Sequence, residues 1–74
     1  MSNIPDISSV KDADGVVRFV TICTLEPREG VWWMIVDTAT GLIDGHGFTK
    51  RGFQHGQRYA KAAAKRRINR KYSP

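Results

Sequence analysis

At Thr49 this chain changes both its hydrophobic period and its charge, and that switch limits the folds open to it. From Thr49 onward there are nine Lys or Arg residues and no Asp or Glu. Before it, Lys11, Arg18 and Arg28 face seven acidic residues, so a mildly acidic segment is joined to a strongly cationic one. The acidic part is rich in β-branched and aromatic residues. The cationic part repeats small apolar residues at intervals of three and four, the period of one helical face. Two elements of different geometry and charge imply two surfaces with different partners.

Within the first part, Val16 to Thr24 reads as a strand opened by Asp14-Gly15, and Val31 to Thr38 as a second. Leu25 to Gly30, with Pro27 and Gly30, reads as a turn. Thr40-Gly41 marks a tight connection in which Gly41 suits positive φ. Leu42 to Phe48 reads as a third strand, with Gly45 and Gly47 marking a bend, a bulge or close backbone approach. Short links make an antiparallel meander the natural pairing. Thr49 is a candidate N-cap, with the helix starting as late as Gln54 because Gly52 and Gly56 weaken the first turns.

The expected fold class is therefore α+β. A three-stranded antiparallel sheet is followed by one C-terminal basic helix, β-β-β-α, in a single domain over residues 15–70. Residues 1–14 read as a flexible arm and residues 71–74 as a disordered tail. The arm carries Ile4, Ile7 and Val10 among polar residues. It is either a frayed terminus or a short apolar strip that docks on its own domain or on a partner. Truncating it is expected to leave the fold intact.

Successive strand side chains point to opposite faces. Phe19 and Cys23 then oppose Val20 and Ile22, and Trp33 and Ile35 oppose Trp32, Met34 and Val36. Both faces of the sheet are apolar, yet one helix of alanines covers only one. The arm, a partner protein or a second copy of the chain must cover the other. Ile4, Ile7, Val20, Trp32 and Met34 are the candidate protein-binding residues, since apolar patches and exposed tryptophans mark interaction sites.

The helix offers a different chemistry. Lys50, Arg51, Arg58, Lys61, Lys65, Arg66 and Arg70 are the candidate nucleic-acid-binding residues. Uninterrupted cations at helical spacing can follow a phosphate backbone and release its counterions. Gln57 and Asn69 could add a base-edge contact.

Other classes are excluded or disfavoured. A single cysteine, Cys23, permits no internal disulfide and reads as a small buried apolar residue. His46 and His55 form no metal-ligand spacing, and His46 between two glycines reads as an exposed turn or strand-end residue. No phosphate loop or nucleophile elbow is present, so no enzyme activity, cofactor or small-molecule substrate is expected. The longest apolar run, Val31 to Val36, is too short to span a bilayer, and no signal peptide is visible. The helix lacks the large apolar face of a membrane-surface helix. The expected location is the cytoplasm of a bacterial host cell.

Resemblances add to this reading. VWWMIVDTATGLIDGHGFTKRG resembles the arm-type DNA-binding domain of phage tyrosine recombinases, through Trp33, Thr40, Gly41, Gly47, Phe48, Thr49 and Lys50. That resemblance implies a stand-alone DNA-binding module, although the Glu-Ala pair that usually follows Thr-Lys is missing. KAAAKR is similar to the basic helix of double-stranded RNA-binding domains. In length and in its apolar-plus-basic layout, the chain resembles the small lytic-phage transcription regulators that bind host RNA polymerase, of the Xanthomonas phage type. That resemblance implies a surface on polymerase near the RNA exit path, inhibition of initiation and antitermination. RNA or DNA would then lie beside the basic segment.

Overall fold

The computed structural model describes residues 5–24 and 30–72. Four strands, β1 (Asp6–Lys11), β2 (Val17–Cys23), β3 (Val31–Asp37) and β4 (Ile43–Thr49), are followed by one helix, α1 (Phe53–Tyr72). The strands form one antiparallel meander in the order β1-β2-β3-β4. The expectation of three strands is therefore corrected to four. The stretch expected to be a flexible arm supplies the edge strand β1, which pairs with β2 from Asp6↔Cys23 to Lys11↔Val17. Its two apolar residues, Ile7 and Val10, point to opposite faces of the sheet, so the segment shows no alternation of apolar and polar residues that would mark it as a strand, and Asp, Asn and Pro residues surround it. Ile4, the turn residues 25–29 and residues 73–74 lie outside the described residues.

The turns follow local chemistry. The Asp12 carboxylate accepts hydrogen bonds from the Asp14 and Val16 amides, and Gly15 takes φ 81° to close the β1–β2 hairpin. Between β3 and β4, Asp37 accepts the Ala39 amide on its carboxylate and the Gly41 amide on its carbonyl. Gly41 adopts φ 75°, the left-handed conformation expected of it. A register shift between Ile35 and Val36 leaves Asp44 as the extra residue of β4.

The helix begins later than Thr49, which ends β4 as a buried residue and accepts the Arg51 amide on its hydroxyl. Gly52 instead accepts the first helical bond, from Gly56. The helix also runs through Lys71 and Tyr72, which were expected in the tail. It packs mainly across β2 and β3. Gly56, Ala60, Ala63, Ala64 and Ile68 face the sheet, against Val10, Phe19, Cys23, Val31 and Ile35. Small residues on the helix bring its axis close to the sheet.

Candidate interaction surfaces

The register places every second strand residue on the face turned away from α1. One row across the sheet runs Ile7, Ile22, Met34, His46. The next runs Ser9, Val20, Val36, Ile43. At the far end Trp32 pairs with Phe48, their rings 4.7 Å apart and tilted by 54°. None of these residues is charged, and no element of the described chain covers them. Ile7 is 62% exposed, Ile43 58% and Trp32 55%. Eight apolar side chains thus form an open face outside a core whose helix side consists largely of alanine.

The structure brings four of the five expected protein-binding residues, Ile7, Val20, Trp32 and Met34, onto this one face. The fifth, Ile4, lies outside the described residues. Residues 6–11 do not fold over the sheet as a cover. They widen it by one strand and add Ile7 to the uncovered surface. Ile22, Val36, Ile43 and Phe48 belong to the same face and were not among the candidates. Strand alternation already set Ile22 beside Val20 and Val36 beside Trp32 and Met34, whereas Ile43 and Phe48 join them only once the β3–β4 register and its bulge are known.

Trp33 shows why the two adjacent tryptophans differ. It points to the helix side, where its ring lies across the backbone of Gly47; a side chain there would overlap the indole. Gly45 likewise makes room for the Arg67 guanidinium. Of the readings of these glycines, close backbone approach is observed at both, and a bulge lies beside Gly45 at Asp44. His46 between them is exposed, opposite Met34.

On the other side of the molecule the cations divide into two groups. Arg67 pairs with Asp44 at 3.0 Å, and Lys71 with Asp37 at 3.3 Å and Asp44 at 3.9 Å. These two are spent on holding the C-terminal half of α1 to the β3–β4 turn. Arg18 has a similar internal role, with its guanidinium 2.8 Å from Asp12 and 4.1 Å from the Tyr72 ring centroid. Its hydrogen bond holds the Asp12 carboxyl below the usual carboxylate range. The Asp37 carboxyl is lowered first by the Ala39 amide and then by Lys71.

The seven remaining cations of the segment from Thr49 onward, Lys50, Arg51, Arg58, Lys61, Lys65, Arg66 and Arg70, are all exposed. Among the described residues none of them pairs with a carboxylate. They are the same seven expected to contact nucleic acid. Five of them, Arg58, Lys61, Lys65, Arg66 and Arg70, are on α1, which lies on the sheet side opposite the open apolar face, and Lys50 and Arg51 lie in the link that leads into it. Gln57 is not available for a base edge, because its amide donates to Asp6 at 2.6 Å and ties the helix to β1. Asn69 is exposed.

Cys23 is buried, and burial first, then the Asp6 charge, pushes its thiol above the ordinary value; it is a packing residue. Among the described residues no group of three or more His, Cys, Asp or Glu could hold a metal ion. No described helix is long and apolar enough to cross a membrane. Comparison with protein-family models, curated proteins and solved structures finds no significant match for this chain.

Proposed function

We propose that this chain is a non-enzymatic, phage-encoded transcription regulator that binds host RNA polymerase through its open sheet face and nucleic acid through α1. One observation carries the reading: an uncharged apolar face that no described element covers stands opposite a helix on which Arg58, Lys61, Lys65, Arg66 and Arg70 pair with no described carboxylate. Uncovered patches of this kind mark protein contacts. Trp32, packed on Phe48, is the natural anchor, since tryptophans dominate binding hot spots. The choice of polymerase as the protein comes from the overall resemblance to small phage regulators. On that resemblance the regulator inhibits initiation and promotes antitermination.

A stand-alone DNA-binding module of the recombinase arm-binding type is served less well. A sheet laid on a duplex meets phosphates, and the rows of the open face contain no Lys or Arg.

The test is purification of the tagged chain with host lysate, with and without nuclease, and identification of the retained proteins. Polymerase subunits are expected to stay after nuclease and to be lost with Trp32→Glu. Loss of every partner on nuclease treatment of the unaltered chain overturns the reading in favour of nucleic-acid binding alone.

A further inference from the structure

The basic helix holds an aromatic pair that neither the core nor the ion pairs use. Tyr59 is 37% exposed and is not among the half-buried side chains packed on the core, which are Trp33, Phe53 and Tyr72. His55 lies one turn before it, with ring centroids 6.3 Å apart and planes tilted by 41°. One turn after Tyr59 come Ala62 and Ala63, so no long side chain stands over that stretch of the helix. Two turns after Tyr59 the same flank presents Arg66, because seven residues at 3.6 per turn return to within about 20°.

Arg66 is exposed, and among the described residues no carboxylate holds its guanidinium. Helical side chains lean toward the N-terminus, so Tyr59 leans toward His55 while Arg66 leans back over Ala62, and the lean leaves the two groups about as far apart as their Cα atoms. The two Cα atoms are separated by roughly 10 Å along the axis. A base stacked between two planar groups needs about 7 Å, twice the ~3.4 Å spacing of stacked bases. The flexible arginine stem closes the difference.

We infer that Tyr59 and Arg66, above the floor of Ala62, form a stacking slot for one unpaired nucleobase, so that α1 selects single-stranded nucleic acid over duplex. This rests on the reading of α1 as a nucleic-acid surface and names the form of nucleic acid it takes. Phenol and guanidinium planes both stack on any base, whatever its edge. Arg58 and Lys65 flank the slot and meet the phosphates on either side of that base. A duplex cannot fill the slot unless a base leaves its stack, which opposes binding.

The test is fluorescence anisotropy on the full chain, with short labelled single strands of RNA and of DNA and a duplex of equal length, over a range of salt. The unaltered chain is expected to bind single strands more tightly than duplex. Tyr59→Ala weakens the single-strand complex by about tenfold, leaves duplex binding unchanged and keeps the salt slope. Tyr59→Phe retains binding. Arg66→Lys loses several-fold affinity although its charge is kept, because an ammonium does not stack as a plane. Unchanged far-ultraviolet circular dichroism shows that each variant is folded. Single-strand binding by Tyr59→Ala and Arg66→Lys as tight as that of the unaltered chain overturns the slot, as does equal affinity for duplex. In that case a flattened salt slope in Arg58→Gln/Lys65→Gln leaves the parent reading standing. No binding by the unaltered chain at low salt overturns both.

Discussion

Gly56 is the residue at which helix propensity and packing oppose each other most directly. Alanine there would raise intrinsic helix stability by about 1 kcal/mol. Its methyl would lie 2.6 Å from Val31 Cγ1 and 3.3 Å from Val31 Cβ. Val31 is fully buried in the core and has no free space to move into. Overpacking of this kind costs about 1–3 kcal/mol, so packing wins. Gly56→Ala is expected to be net destabilising by about 1 kcal/mol, read as a lower urea midpoint at unchanged slope. A raised midpoint would show that the helix can lift from the sheet at little cost. The sequence marks Gly56 only as a weakness in the first turns, because the reason for it lies in a strand more than twenty residues earlier.

At the scale of elements, β1 and the Asp37 turn decide how the sheet and helix hold together. Val10 of β1 is buried beside its partner Phe19, so a chain lacking residues 1–11 exposes the β2 edge and part of the core. Such a chain is expected to lose cooperative unfolding, and Val10→Ala to cost about 1–2 kcal/mol. Truncation that leaves the urea midpoint unchanged would mean that β1 adds nothing to stability. Asp37 joins β3, the following turn and the end of α1 in one carboxylate. Its pKa is lowered in the folded chain, foremost by the Ala39 amide. A lowered folded value stabilises the fold above the unfolded value and loses that contribution as pH falls from about 4 through the folded value. Asp37→Asn is therefore expected to shrink the drop in urea midpoint between pH 7 and pH 3. An undiminished drop would assign acid lability to other groups such as Asp12.

These elements also show what could be read in advance. The alternation in Val31 to Val36 correctly assigned Trp33 and Ile35 to one side and Trp32, Met34 and Val36 to the other. The alanine spacing found the buried face of the helix. The fourth strand was missed because its evidence is not local. Residues 6–11 have little strand propensity of their own and become a strand by pairing with β2. The seven outward cations were legible because nothing acidic lies near them in sequence. Tyr59 and Arg66 were not paired, since their relation depends on two helical turns and on the absence of long side chains between them.

For the whole molecule, the sheet separates the two proposed contacts, and that separation is itself testable. The apolar rows and the cations of α1 lie on opposite sides, and the internal ion pairs use Arg67 and Lys71 and none of the other seven. Replacing Arg58, Lys61 and Lys65 with glutamine removes charge from solvent-facing positions and leaves the core untouched. If each meets one phosphate, the slope of log affinity against log salt falls by about two to three units. Retention of polymerase after nuclease is expected to be unchanged in that variant. Trp32→Glu puts a charge on the open face, at its aromatic end, while leaving α1 as it is. It is expected to abolish polymerase retention and to keep both the salt slope and the single-strand affinity. Electrostatic steering by the helix links the two only through the rate of encounter, so the low-salt association rate with polymerase falls in the triple variant while dissociation from polymerase is unaltered. A loss of both contacts on either set of changes would show one composite surface, and the division of labour between sheet and helix would fall.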